Sequence, residues 1–181
     1  MPAPLIYGFP AGQYTEMVLQ GRCFFATNPS VQLFSVNTTA ATGLIATNPA
    51  GSGVNMVILQ LLVALASAPA GQSNLIWTGT LLTTASAATT HTTPLTTKNC
   101  FIGSSFTAAS CLIDSAATVP TPAAIRAIPG GPVAAASVVS PYIEQKVGGI
   151  MILAPGCVIS VQAMTTAISA VATIVWREDP Q

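Results

Sequence analysis

The chain has 181 residues, of which 51% are apolar and 6% are charged, with five basic and five acidic side chains. An ordinary soluble domain has about 25% charged residues, and here Thr, Ser, Ala and Gly take their place. The length is that of one domain with its own core, and the basic residues are too scattered to form an arm or patch for nucleic acid. Because a net charge of zero leaves little repulsion between copies, we expect much of the surface to be buried in an assembly.

Cysteine and histidine are too few for an obvious metal site. The four cysteines at positions 23, 100, 111 and 157 form no C-x-x-C pair, and His91 is the only histidine. A closed zinc site would need all of the cysteines, or three of them and the histidine. We therefore expect no metal and no cofactor, and we expect small buried thiols in a reduced compartment rather than a disulfide pair.

No signal peptide or membrane span is expected. The first 14 residues lack both a charged start and a continuous apolar core. The apolar run over residues 54–68 is too short to cross a bilayer. The uncharged run over residues 157–176 is rich in Val, Ile and Thr, which favours a strand over a membrane helix.

The N-terminal segment, residues 1–13, is rich in proline and glycine and also carries large apolar side chains. This proline density argues against a helix and against a central strand. We expect an extended arm that lies on a neighbouring subunit, and the alternative is an arm folded back on its own domain. The candidate interface residues of the arm are Leu5, Ile6, Tyr7, Phe9 and Pro10.

From residue 14 onward, short apolar or alternating segments between turn signals predict about ten to twelve strands. Residues 54–65 would also suit a buried helix, but the turn signals on both sides favour a strand. Residues 84–97 predict a polar loop or an exposed edge. Before residue 140, the predicted strands cover 14–20, 23–26, 31–36, 43–47, 54–65, 74–83, 98–103, 111–114, 124–128 and 133–139.

The C-terminal run predicts the most regular strands. Tyr142, Glu144 and Lys146 share one face of an alternating segment. Residues 150–153 and 158–163 predict a hairpin around the turn at 154–157, and residues 168–176 predict a strand covered on both faces. The whole pattern indicates an all-β fold, with a single antiparallel β-sandwich or jelly roll over residues 14–181.

Catalytic chemistry finds little support in the sequence. His91 is the only base for neutral pH, the acidic residues are far apart in sequence, and no Gly-x-Ser-x-Gly motif marks a nucleophile. We expect no enzymatic activity and interpret His91 as a solvated loop residue. Glu178 and Asp179 are expected to be solvated and to protect an edge strand from stray pairing.

Four stretches resemble phrases in small virion proteins of tailed bacteriophages. They are NPAGSGVNMVIL (48–59), SAPAG (67–71), GIMILAPG (149–156) and VWRE (175–178). The resemblance implies a jelly-roll-like protein on the virion surface, of the capsid decoration, cement or head-fibre kind, that acts as a homo-oligomer. These phrases are turn-and-strand patterns, so they assign no role to individual residues.

Composition and resemblance together lead to one functional expectation. The chain is expected to bind the outer capsid surface as a homotrimer or other homo-oligomer and to stabilise the shell. Its partners would be the major capsid protein and copies of itself, with no nucleic acid and no membrane, and it would be made in the host cytoplasm. The alternatives are a phage tail or fibre recognition module and the coat protein of a small virus.

Overall fold

The structure is a computed structural model that describes residues 10–67, 69–80, 82–106, 109–128 and 142–181. These residues form one helix and twelve strands. The elements are α1 (Pro10–Leu19), β1 (Cys23–Thr27), β2 (Gln32–Phe34), β3 (Ala40–Thr47), β4 (Val54–Leu65), β5 (Leu75–Thr80), β6 (Thr90–Pro94), β7 (Lys98–Asn99), β8 (Leu112–Thr118), β9 (Ala123–Ala127), β10 (Tyr142–Leu153), β11 (Val158–Ala163) and β12 (Ile168–Pro180).

The strands form two antiparallel sheets that pack face to face. Sheet 1 has the order β10-β4-β12-β1-β7, and β2 pairs with the beginning of β12. Sheet 2 has the order β6-β8-β3-β11-β5-β9. The apolar inner faces of both sheets meet in one core, which confirms the predicted β-sandwich.

Eight of the strands pair as a ribbon folded on itself. In chain order these are β1, β3, β4, β5, β9, β10, β11 and β12. The first of these, β1, pairs with the last, β12; moving inwards along the list, β3 pairs with β11, β4 with β10 and β5 with β9. This nested pairing, divided between two sheets, is the jelly-roll arrangement. The insertion that carries β6, β7 and β8 extends one edge of each sheet.

Two tryptophans lie at the centre of the core. Trp77 of β5 and Trp176 of β12 are fully buried, and Trp176 stacks on Phe24 with 5.9 Å between the ring centroids. The indole N–H of Trp77 donates to Gln145 Oε1 at 2.7 Å, so this hydrogen bond joins the two sheets across the core. Burial of an aromatic side chain of this size stabilises the fold by roughly 1.5–3 kcal/mol.

The predicted hairpin of residues 150–153 with 158–163 is wrong. The turn at 154–157 forms, and the N–H of Cys157 donates to the carbonyl of Ala154 at 3.2 Å. However, β10 pairs with β4 in sheet 1, whereas β11 lies between β3 and β5 in sheet 2. All six residues of β11 are buried, which requires a central position in a sheet and not a place in an isolated hairpin.

The predicted strand over residues 14–20 is also wrong, because this segment belongs to α1. Tyr14, Met17 and Val18 are spaced at the helical period, and Pro10 begins the helix, where a missing N–H costs nothing. Gly21 ends the helix at φ 71°, where its N–H donates to Val18 O at 2.9 Å. The N–H of the next residue donates to Met17 O at 3.1 Å, which completes a Schellman cap.

The C-terminal strands follow the predicted alternation but are longer than predicted. Tyr142, Glu144 and Lys146 lie on the same face of β10, as predicted, and this face is exposed. The strand continues through Gly148 and Gly149 with a register shift against β4. The strand β12 was expected to be covered by protein on both faces. Its inner face is buried, but its outer face is only half-buried, so the prediction holds for one face.

The remaining strand predictions are confirmed with shifted ends, and the strand over 54–65 agrees in full. The segment over 84–97 contains the exposed edge strand β6, as one of the two interpretations held. The predicted strand over 133–139 lies outside the described residues. Predictions over 31–36, 74–83 and 98–103 were too long, and those over 43–47 and 111–114 were too short.

Candidate assembly surface

Four of the five predicted interface residues, Leu5, Ile6, Tyr7 and Phe9, lie outside the described residues. Pro10 is the first residue of α1, so residues 10–13 are helical and not part of an extended arm. The arm prediction assumed that proline excludes a helix throughout this segment. A proline at the first helical position is tolerated, because its N–H would have no partner within the helix.

Helix α1 lies on the outer face of sheet 1. Met17 and Val18 pack against an apolar cluster of three strand residues, Cys23, Val57 and Leu59. A cavity of about 270 Å³ remains beside the helix. It is lined by Tyr14, Val18, Cys23, Leu59, Gln60, Cys100, Lys146 and Val175.

Large apolar side chains are exposed along β10, the edge strand of sheet 1. Tyr142, Ile150 and Ile152 are 62%, 72% and 60% exposed, and all three lie on the outward face of the strand. On this face Glu144, Lys146 and Gly148 lie between Tyr142 and the two isoleucines. We call the outward face of β10 the β10 strip.

A second apolar group follows β7, at the opposite edge of sheet 1. Ile102 is 83% exposed, and the rings of Phe101 and Phe106 lie 6.0 Å apart between centroids. Phe106 also packs over Gly21, where a Cβ atom would meet its ring at 2.4 Å. An open cavity of about 350 Å³ separates this loop from Phe25.

Glu178 is not the solvated edge residue that the sequence predicted. It lies in β12, between β4 and β1, and it is buried. Its carboxylate accepts hydrogen bonds from the N–H groups of Ser110 and Cys111, each at 2.9 Å, and from the indole of Trp176 at 3.2 Å. It therefore holds the segment before β8 against sheet 1.

The neighbouring Asp179 is an ion-pair residue. Its carboxylate contacts Arg22 of the segment before β1, and it contacts Arg177 at 2.8 Å. Asp179 thus forms ion pairs with two of the five basic residues. The other three, Lys98, Arg126 and Lys146, lie on the separate strands β7, β9 and β10.

His91 is exposed, as the sequence predicted, but it lies in the edge strand β6 and not in a loop, and its side chain has a partner. Its Nδ1 lies 2.7 Å from Asp114 Oδ2, and this side-chain contact links the neighbouring strands β6 and β8. Asp114 is fully buried, and its Oδ1 has no hydrogen-bond partner among the described residues. Burial raises the pKa of the Asp114 carboxyl, while the hydrogen bond and charge of His91 act in the opposite direction.

Two serine hydroxyls of sheet 2 have hydrogen-bond partners other than His91. The Ser160 hydroxyl lies on β11, with β3 between it and β8, and is 2.7 Å from Thr78 Oγ1. The Ser115 hydroxyl donates to the carbonyl of Thr93. The sequence signal for the His91–Asp114 pair was the acid in the apolar run CLID (111–114), but 23 residues separate it from the histidine.

The four cysteines are free thiols, and Cys23 and Cys111 are buried. Burial raises the pKa of Cys100 to about 11, with a further contribution from the nearby Cys23 thiol. Burial also raises the pKa of Cys23, and it raises that of Cys111 together with the Glu178 carboxylate. The described residues contain no cluster of three or more His, Cys, Asp or Glu side chains that could hold a metal ion.

No helix within the described ranges is long and apolar enough to cross a membrane. No protein family, curated protein or solved structure matches the chain.

Proposed function

We propose that the chain is a structural virion protein that binds the outer surface of a capsid as a homo-oligomer and stabilises the shell. Its direct partners are the major capsid protein and further copies of itself. The proposal places the protein in the decoration or cement class, in which many copies of a modest interface together resist the pressure of packaged DNA.

The observation that carries the proposal is the β10 strip on a jelly roll with almost no charge. Tyr142, Ile150 and Ile152 are exposed on one edge strand, and only 6% of the chain is charged. Such a surface favours association, because the burial of each exposed apolar side chain on contact stabilises the complex. The jelly roll occurs in viral capsid proteins, although it also occurs in lectins and cupins, so the fold alone assigns no function.

The recognition module of a tail or fibre is the second candidate. The loop with Phe101, Ile102 and Phe106 and its open cavity of about 350 Å³ favour it, because exposed aromatic rings bind the apolar faces of ligands. A nearby amide, that of Asn99, also lines the cavity. A coat protein of a small virus is less well supported, because five basic residues on separate elements offer little to a genome.

Co-sedimentation with capsids tests the proposal. Shells would be assembled from the major capsid protein of the virus that encodes this chain, prepared without the chain, and then mixed with the purified protein. We expect saturable binding and a higher temperature of shell disruption. No binding to the shells, even at high protein concentration, would contradict the proposal. Binding of a ligand that is lost in a Phe101→Ala variant would favour the recognition module.

A truncation tests the role of the predicted arm. Deletion of residues 1–9 removes Leu5, Ile6, Tyr7 and Phe9 but leaves α1 and its contacts with sheet 1 intact. We expect weaker capsid binding with an unchanged circular dichroism spectrum. Undiminished binding by the folded truncated protein would remove the arm from the interface.

A further inference from the structure

The four edges of the two sheets are unequal. Among the described residues, β7 is two residues long, and β6 and β9 are five residues long and pair irregularly. The edge strand β10 has 12 residues and, among the described residues, pairs only with β4; its register against β4 is unbroken over Tyr142–Lys146 and shifts between Lys146 and Met151. Short and irregular edges prevent stray pairing, whereas a long edge strand presents free N–H and C=O groups to another strand.

We propose that β10 pairs with β10 of a second copy of this chain, antiparallel and about a two-fold axis at Gln145. This inference deepens the proposed function and rests on it for the expectation of a homo-oligomer. It names the self-association surface. In this register Glu144 lies opposite Lys146 of the second copy, and Lys146 lies opposite Glu144. Sheet 1 then continues from one copy into the other, as in an isologous interface.

The charge pattern of β10 selects this register. Glu144 and Lys146 are two of the ten charged residues of the chain, and they lie two residues apart on the same outward face. Lys146 forms no ion pair with any described residue, and Glu144 accepts one hydrogen bond, from Gln60 Nε2 at 2.7 Å. Pairing about Gln145 brings each charge opposite its complement twice, at the separation where cross-strand pairs interact.

The burial pattern is compatible with the same register. Residues that lie opposite each other have numbers of the same parity, so outward residues meet outward residues and the inward residues Ile143 and Val147 meet each other. A shift by one residue would bring outward side chains opposite inward ones. The two-fold register therefore keeps both inner faces directed at their cores.

Tyr142 provides a third match. In the proposed register its ring lies opposite Gly148 of the second copy. Gly148 has φ 60° and lies where the register of β10 against β4 shifts, and a Cβ atom there would meet no described atom within 4 Å. Aromatic residues stabilise glycines in neighbouring strands by covering them in this way. Tyr142 is 62% exposed in the single chain and would be covered in the pair.

A charge exchange tests the inference with purified protein alone, without capsids. Glu144→Lys places two lysines opposite each other, and Lys146→Glu places two glutamates opposite each other. Each variant alone is expected to raise the dimer dissociation constant by about tenfold or more. A mixture of the two variants restores both opposite-charge pairs, so heterodimers should form as well as in the wild type. Sedimentation equilibrium measures all three.

Arg126→Glu is the matched control, because Arg126 is exposed on the edge strand β9 and the change in charge equals that of Lys146→Glu. It should leave the dimer intact, and circular dichroism should show that every variant is folded. A wild type that stays monomeric overturns the inference. An oligomer that either variant leaves unchanged, or a mixture that does not recover, also overturns it. Capsid binding is measured separately, so the two proposals can fail independently.

Discussion

Asn48 Nδ2 donates a hydrogen bond to the carbonyl of Leu153 at 2.8 Å, and this bond joins two connections between the sheets. The same amide donates to the carbonyl of Val54 at 2.9 Å, and its Oδ1 accepts from the Ser52 hydroxyl at 2.6 Å. Asn48 is fully buried. Its side chain thus fixes the β3–β4 crossing against the end of β10, where the chain turns towards β11.

Asn48→Asp is expected to destabilise the fold by about 3 kcal/mol or more. The change replaces two N–H donors with a carboxylate oxygen that faces two carbonyl oxygens in a buried site. Urea denaturation measures the loss. Asn55→Asp is the control, because Asn55 is only partly buried and its side chain bonds the exposed Gln181. Equal losses in the two variants would contradict this role for Asn48.

Gly156→Ala should destabilise the protein by more than about 3 kcal/mol, because it combines backbone strain with a clash. Gly156 has φ 91°, and a Cβ atom there would lie 1.7 Å from the carbonyl oxygen of Thr83. Gly51→Ala is the matched control, since Gly51 has φ 82° but a Cβ atom would meet no described atom within 4 Å. We expect that control to lose about 1 kcal/mol from strain alone. Thermal or urea unfolding that gave equal losses would exclude the clash.

The sequence predicted most strands because their apolar patterns are local. The strand Val54–Leu65 and the alternation of β10 follow from the residues themselves. The partner of each strand does not, since the jelly roll pairs the first strand with the last. The predicted hairpin failed for this reason. The turn at 154–157 was recognised, but the bonds that place it beside Asn48 come from a residue more than a hundred positions earlier.

The candidate site was predicted less completely. The alternation predicts that Tyr142 shares a face with Glu144 and Lys146, but its position at a sheet edge depends on the pairing of distant strands. The burial of Glu178 could not be predicted, because two of its three donors belong to the segment before β8. The contact of His91 with Asp114 could not be predicted either, because the two residues are 23 positions apart in sequence and lie on different strands.

The His91–Asp114 pair should give opposite pH trends in two variants. Because burial raises the folded-state pKa of Asp114, the stability associated with its protonated form is fully present below the unfolded-state value of about 3.9. It is lost as the pH rises through the folded-state pKa. Asp114→Asn undergoes no such loss, so its destabilisation relative to wild type should be larger at pH 4 than at pH 7.

His91→Gln should show the reverse trend. At pH 7 it removes the 2.7 Å contact of a buried carboxylate whose other oxygen already has no partner among the described residues. We expect a loss of about 1–3 kcal/mol at pH 7 and a smaller loss at pH 4, where Asp114 takes up a proton. Chemical denaturation at both pH values measures the difference. The same trend in both variants would contradict the assigned pairing.

The buried thiols predict that the fold loses stability at alkaline pH. An unfolded cysteine ionises near pH 8.5, whereas the folded-state pKa of Cys100 is about 11. Between these values the unfolded chain has released a proton that the folded chain keeps. The free energy of unfolding is therefore fully retained below about pH 8.5 and falls as the pH rises, by at most about 1.4 kcal/mol per pH unit for each such thiol.

Cys100→Ala should make this decline shallower in urea denaturation between pH 7.5 and 10.5. Thr96→Ala, an exposed change in the segment before β7 that removes no ionisable group, should keep the wild-type slope. A Cys100→Ala slope as steep as that of wild type would show that this thiol is not protected in the folded state.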